Sequence, residues 1–232
     1  MRIVFVRHAQ PNYELDRITE TGHLQAAAVA ERLVTENITE IYASPMGRAR
    51  QTAGYTAEKL GLPVTILEYM PEIDWGSVDG KEEMPKGGHP WMLADEMARS
   101  NDWDLTLENW KEHPYFRNNK ATKLYEGIAE NIDKFLAGHG YVREGFRYLC
   151  TGGNTEKTIA LFSHGGSGAC ALSRILNLPL PYTMVILPYD FTSVTIVNFP
   201  DEPGKYVFRR LELFNDVHHF ANLGKVKPTF DK

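Results

Sequence analysis

An α/β fold with a mostly parallel central sheet is what the sequence predicts, on three observations. Ile3 to Val6 is a short run of continuous apolar, β-rich character with no polar alternation, as expected of a strand covered on both faces. From there to Leu67, strand-like and helix-like segments alternate, the order that lays helices on a parallel sheet through right-handed crossovers. A second strongly apolar run, Thr158 to Ser163, leads directly into a glycine-rich helix start.

The elements follow in order. In "RITETGHLQAAAVAERLVTEN", either Thr19 or Thr21 caps a helix that carries Leu24, Ala27, Ala28, Leu33 and Val34 toward the core. "TEIYAS" reads as a short strand. "PMGRARQTAGYTAEKLG" has proline at a helix start and Gly61 at its end, and Pro63 to Leu67 is a third strand. From Glu72 to Lys120 the pattern loosens, with weak helical periodicity at Met92 to Arg99 and at Leu105 to Glu112. Long irregular stretches in compact domains are usually functional or disordered, and three tryptophans argue against disorder, so an insertion at about 77–120 is expected to form a lid or side wall. Trp91, Trp103, Trp110, Tyr115 and Phe116 fall in it, as core or as a wall for a sugar or aromatic leaving group. Ala121 to Leu136 reads as a helix. "GYVREGFRYLCTGGNTEKTIALFSH" reads as an antiparallel hairpin whose second arm is Thr158 to Ser163, and "GGSGACALSRILN" as the next helix. Strands at Phe191 to Asn198 and Tyr206 to Phe214 complete the sheet. Without an internal repeat or composition break, one domain over residues 1–232 is expected.

Composition narrows the partners. Net charge is -5 among 232 residues, so the overall field does not draw nucleic acid or an anionic membrane. Any anionic small molecule must be held by a local basic pocket. Cys150 and Cys170 have no metal-type spacing, which points to neither a disulfide framework nor a metal centre and to a reducing cytoplasmic setting. No apolar run reaches the ~18 residues of a membrane span, and the N-terminal apolar run is too short for a signal-peptide core, so a soluble, unprocessed chain is expected. A homodimer is compatible with the sequence, which does not fix the oligomeric state.

Four segments carry chemistry-bearing side chains where a strand gives way to a loop or helix: "VRHA", "SPMGRA", "EIDWGSVDG" and "FSHGG". In open α/β sheets ligands bind outside the carboxyl ends of the strands, so Arg7, His8, Arg48, Glu72 and His164 are expected at one rim. Guanidinium groups match phosphate oxygens and keep their charge, and the amide at Gly165 can face an anion at a helix start. Two flanking cations keep His8 neutral and nucleophilic. A glutamate donates a proton to the leaving oxygen and later takes one from water. Each segment alone has a bland reading: a surface dipeptide, a helix start with a solvated arginine, an acidic turn in which Asp74 is as good as Glu72, or a tight glycine turn. His89, His113, His218 and His219 read as solvent-facing. It is the four together, on one rim, that point to a phosphate pocket.

These segments resemble the histidine phosphatase superfamily, also called the phosphoglycerate mutase-like family, in "FVRHA", "ITETGHLQA", "YASPMGRARQTA", "EIDWGSVDG", "ALFSHGG" and "TSVTIVNF". The resemblance implies a three-layer α/β/α sandwich and metal-independent, cofactor-free phosphoryl transfer. It makes His8 the phosphorylated residue, Arg7 and Arg48 phosphate ligands, His164 the second pocket histidine and Glu72 the proton donor. Many relatives have glycine after the Arg-His pair and then Glu-Thr-x-x-Asn, where this chain reads Ala9, Gln10, Pro11 and Asn12; Asn12 is the candidate to supply that loop's phosphate contact. The Arg-His-Tyr-Gly and Arg-Arg-Ser stretches of phosphoglycerate mutases are also missing. A phosphatase acting on a small phosphomonoester through a phosphohistidine is therefore expected. The alternatives are a phosphoglycerate mutase-type phosphotransferase and a non-catalytic phospho-ligand-binding module.

Overall fold

Strand β1 (Arg2–Arg7) buries Ile3, Val4, Phe5 and Val6 alike. A strand shielded on both faces belongs inside a sheet. The chain continues through β2 (Pro11–Asn12), β3 (Arg17–Ile18), helix α1 (Glu20–Leu33), β4 (Glu40–Ala43), helix α2 (Gly47–Leu60) and β5 (Val64–Ile66). Helices α3 (Pro90–Ser100) and α4 (Lys120–Gly138) come next, then β6 (Tyr141–Glu144), β7 (Arg147–Cys150) and β8 (Thr158–Ser163). Helices α5 (Gly165–Leu176) and α6 (Leu180–Ile186) and strands β9 (Val194–Asn198), β10 (Tyr206–Val207) and β11 (Arg210–Asp216) complete it. The computed structural model describes residues 1–100, 109–152 and 156–223. Trp103 and the first part of the Leu105 to Glu112 segment lie outside the described residues.

The chain divides into two units, one of Met1–Pro71, Leu136–Gly165 and Tyr189–Lys232 and the other of Glu72–Phe135 and Gly166–Pro188. The first contains a six-stranded sheet in the order β11-β9-β1-β8-β4-β5. β1, β8, β4 and β5 run parallel, while β9 runs antiparallel to both β1 and β11. The architecture is the α/β class expected, a mainly parallel central sheet flanked by helices. Val4, Val6, Val29, Leu33, Ala160 and Phe162 belong to its main core cluster. Register matters most at the carboxyl ends: Arg7 pairs with Ser163 and Ala43 with Phe162, so the residues leaving β1, β8 and β4 emerge side by side.

α1 begins at Thr19, whose hydroxyl accepts from the Gly22 amide at 3.0 Å and donates to the Gln10 carboxamide at 2.7 Å. Its buried face is Gln25, Ala26, Val29, Ala30 and Leu33, and of the five residues expected there only Leu33 is buried; Leu24, Ala27 and Val34 are exposed and Ala28 is half-buried. Alanine-rich segments fix the helical phase weakly. Buried Gln25 also has a polar task, accepting from the Gln10 amide at 2.7 Å. α2 ends on Gly61 at φ 66°, the left-handed cap expected of a glycine.

Two strand assignments need correction. The hairpin closes β6 on β7, not on Thr158 to Ser163, around a two-residue loop with Gly145 at φ 61°, a conformation glycine adopts at no cost. β8 is thereby released to pair parallel with β1 and β4. Tyr206 to Phe214 is also two strands, β10 on β7 in a three-stranded sheet and β11 on β9. Phe191 to Ser193 precedes β9 as a turn.

In the second unit, α3 buries Pro90, Leu93, Ala94 and Met97 and packs on α6, a helix the sequence pattern left unassigned behind Pro179 and Pro181. Trp110 and Phe116 are core, with Trp110 5.4 Å from the Phe116 ring and 5.2 Å from Tyr125. Trp91 meets His89, and Tyr115 donates to Glu96. Among the described residues no single helix is long and apolar enough to cross a membrane.

The cap assignment is testable. Thr19→Ala should destabilise the protein by about 1 kcal/mol and Thr21→Ala by less than about half that, read as a difference in denaturant midpoint at unchanged m-value.

Candidate active site

The parallel register explains how distant segments meet in the first unit. The chain leaves β1 with the His8 amide donating to the Ser163 carbonyl at 2.9 Å, one further rung of the ladder with β8. The Ala9 amide then donates to the Thr52 hydroxyl of α2 at 3.0 Å. Arg7 and His8 are thus fixed at one strand end, Ser163, His164 and Gly165 at the next, and Ser44 at the third. Arg48 enters from the first turn of α2, directly after β4.

His8 is wholly buried, and its ring lies 5.0 Å from that of His164. Its Nδ1 lies 2.8 Å from the Ala9 carbonyl, an acceptor, so Nδ1 carries the hydrogen and Nε2 the lone pair. Arg48 Nε donates to that Nε2 at 3.3 Å, and Arg48 Nη1 is held by Asp16 at 2.6 Å. Asp16 uses its other oxygen to accept from the Gly47 amide at 2.6 Å, so one carboxylate caps α2 and aims Arg48. Arg7 donates through Nη1 to the Tyr189 carbonyl at 2.6 Å and lies with Cζ 4.3 Å over Phe191. The ring of His164 meets the Ser44 hydroxyl at 2.6 Å through Nε2. Ser44 accepts from the Met46 amide, and His164 Nε2 is the acceptor within reach of its buried hydroxyl proton, so the His164 hydrogen sits on Nδ1.

Two buried donors follow from this arrangement, Arg7 Nε and His164 Nδ1, and neither has a protein partner. Buried polar groups are nearly always hydrogen-bonded, and an oxyanion would satisfy both. The electrostatics agree. Burial first, then Arg7, His164 and Arg48, hold His8 well below the ordinary imidazole range. Burial, then Arg48 and Arg7, push His164 down to about 2. Two neutral imidazoles between two guanidiniums leave a positive field that favours an anion, and one imidazole presents its lone pair within it. Gly165 packs here too: a Cβ on it would lie 3.4 Å from the Arg7 guanidinium carbon.

Glu72 belongs to the second unit. Its Oε1 accepts from the amides of Ile73 at 2.9 Å, Gly166 at 2.9 Å and Ser167 at 3.2 Å. The last two lie in the first turn of α5, where the helix dipole favours a carboxylate. Gly166 is required there, because a Cβ would come within 2.6 Å of Glu72 Oε1. Asp74, the other acidic candidate, pairs with Lys120 at 2.9 Å at the surface.

Of the residues expected at the rim, the first unit brings together Arg7, His8, Arg48, His164 and Gly165. Asn12 has a local task, its side-chain oxygen accepting from the Leu15 amide at 3.1 Å. His218 is exposed as expected, whereas His219 is buried, its Nε2 3.0 Å from the Thr192 hydroxyl; a polar tail sequence hides a partner supplied by a distant turn. His89 and His113 are half-buried. Sequence reasoning also missed Ser44 and Asp16. Ser44 lies inside the quoted "YASPMGRA" and was legible as a polar residue at a strand end; Asp16 had no local signal. Among the described residues no group of His, Cys, Asp or Glu side chains forms a metal site.

The sequence profile of the histidine phosphatase superfamily (branch 1) matches residues 3–212. The chain is similar to a protein named "Probable phosphoglycerate mutase GpmB" from Enterobacter sp. (strain 638), 26% identical over 228 residues that cover 94% of each. Its fold is similar to a mycobacterial glucosyl-3-phosphoglycerate phosphatase, with a TM-score of 0.61 at 23% identity over 92% of this chain and 98% of the other. It is similar as well to an H9A variant of Entamoeba histolytica phosphoserine phosphatase in complex with phosphoserine, with a TM-score of 0.61 at 21% identity over 94% and 98%. With the profile spanning nearly its whole length and the paired imidazoles set between arginines, this chain belongs to the histidine phosphatase superfamily, whose members are phosphatases or mutases.

Proposed function

We propose that the protein is a phosphatase that hydrolyses a small phosphomonoester through a covalent phosphohistidine on His8. The observation that carries this reading is the state of His8: neutral, buried, with Nδ1 tied to a carbonyl and the Nε2 lone pair beside guanidinium groups. Such a nitrogen is a nucleophile for phosphorus rather than a general acid. Arg7, Arg48 and His164 donate to the non-bridging oxygens, and they offset charge as the phosphoryl group transfers.

His8 Nε2 forms a bond to phosphorus while the bond to the leaving oxygen breaks, and that oxygen takes a proton from Glu72. Oε1 of Glu72 accepts from three amides, so the transferred proton is assigned to Oε2. Water then attacks the phosphohistidine, giving its proton to the Glu72 carboxylate and releasing inorganic phosphate and neutral His8. Arg48 Nε must leave the His8 lone pair before attack, and an incoming phosphate oxygen is the stronger acceptor that draws it away.

The name of the Enterobacter relative favours a second reading, return of the phosphoryl group to an alcohol. Against it stand "EIDWG" and an insertion without the paired arginines of a mutase. Incubation with 3-phosphoglycerate distinguishes the two: free phosphate is expected, and accumulation of the 2-isomer would establish the mutase.

His8→Ala should lower hydrolysis of p-nitrophenyl phosphate by at least about a thousandfold with the fold intact. The pH profile has a definite sign. Protonation destroys the nucleophile, and its folded value lies well below 6.5, so kcat/KM, corrected for the substrate's own ionisation, should hold from pH 7.5 down to about 6. An enzyme limb at the ordinary imidazole value would contradict a buried, cation-flanked nucleophile. Glu72→Gln should slow alkyl phosphates by about a hundredfold or more and p-nitrophenyl phosphate by less than about tenfold, because only the poorer leaving group needs a proton. Equal slowing would move the acid role elsewhere, with Asp74 the next residue to test.

A further inference from the structure

Thr192 has a backbone φ of 52°. For a β-branched residue the left-handed region is a true outlier, held only where the surroundings impose it, and such strain gathers at functional sites. Thr192 lies in the buried stretch that touches Arg7 from three directions. Its own amide donates to the Arg7 carbonyl at 3.0 Å. One residue before it, the Phe191 ring lies under the Arg7 guanidinium. Three residues before it, the Tyr189 carbonyl accepts from Arg7 Nη1. The path of this stretch therefore sets both the backbone and the head group of Arg7, whose buried Nε has no protein partner.

A side chain from near the end of the described chain meets Thr192. The Thr192 hydroxyl gives its proton to the Phe191 carbonyl at 2.8 Å. The contact at 3.0 Å with His219 Nε2 is therefore donated by the histidine. His219 is buried in the turn that follows β11, far from Arg7 in sequence, and its Nδ1 has no hydrogen-bond partner. A buried imidazole spending its one hydrogen on a strained residue is a costly way to close a turn. It is an effective way to keep a guanidinium aimed.

We infer that His219 is a positioning residue for Arg7, acting through the hydroxyl of Thr192 to hold the Tyr189 to Ser193 stretch against the arginine so that Arg7 Nε meets a phosphoryl oxygen. The inference rests on the reading of Arg7 as a phosphate ligand. It assigns His219 no contact with substrate and no proton transfer.

The experiment measures inorganic phosphate binding by calorimetry, KM and kcat for p-nitrophenyl phosphate, and the thermal midpoint. The variants are His219→Ala, His219→Gln, Thr192→Val, the His219→Ala/Thr192→Val double variant and Arg7→Ala as reference. His219→Ala should weaken phosphate binding and raise KM together by about tenfold, with kcat within about twofold. His219→Gln, which keeps a donor, should recover most of the loss and serves in its place if the alanine variant does not fold. Thr192→Val, nearly isosteric without the hydroxyl, should match His219→Ala, and the double variant should be no worse than either single one. Additive losses in the double variant, or a lowered thermal midpoint with phosphate affinity unchanged, would overturn the relay. Unchanged phosphate affinity in Arg7→Ala would remove the underlying role of Arg7 and the relay with it, a failure distinct from the relay's own.

Discussion

Positive charge held against buried neutral imidazoles is the constraint on which the rest depends. His8 is wholly buried and Arg48 nearly so, and the sheet contributes no buried carboxylate to neutralise them. Asp16 holds Arg48 from a half-exposed position. A charged group taken out of water is expensive unless a partner replaces the lost hydration. Here the fold pairs Arg48 with that one carboxylate, leaves Arg7 Nε and His164 Nδ1 unpaired, and drives both imidazoles to the neutral form. An anion would satisfy the two donors that the protein leaves unpaired.

Keeping that arrangement requires support from outside the pocket, and the support is layered. The ladder between β1 and β8 sets the backbone of Arg7 and His8. Ser44 and the Ala9 carbonyl fix the two imidazole tautomers. Asp16 ties the aim of Arg48 to the cap of α2, so a change in the loop carrying Asp16 acts on helix and arginine together. Thr192 and Phe191 do the same for Arg7 from β9's leading turn. In the second unit, the Glu72 carboxylate is set by amides at the start of α5, and Gly166 is the residue that lets it approach.

The errors of sequence reading have specific causes. In α1, alanines at successive positions make several helical phases equally apolar, and the one adopted is fixed by packing and by the bond from Gln10 to Gln25. Thr158 to Ser163 fitted a hairpin because an apolar run does not reveal its partner, and the two-residue turn at Gly145 had already closed β6 on β7. His219 read as surface because the residue that shelters it, Thr192, lies 27 positions away. In each case the deciding contact is non-local, and periodicity carries no information about it.

Sequence alone determined the α/β class, because buried parallel strands are locally apolar, and its motifs the family; it also singled out Arg7, His8, Arg48 and His164, which the first unit brings to neighbouring strand ends, where ligands bind in such sheets, and Glu72 in the second unit. Tertiary structure decided which nitrogen of His8 bears the lone pair, that Asp16 and Ser44 meet Arg48 and His164, and that Thr192, at a positive φ, donates its amide to the Arg7 carbonyl. Those outcomes depend on distances between segments that approach one another only after the sheet has formed, and no stretch of chain encodes them by itself.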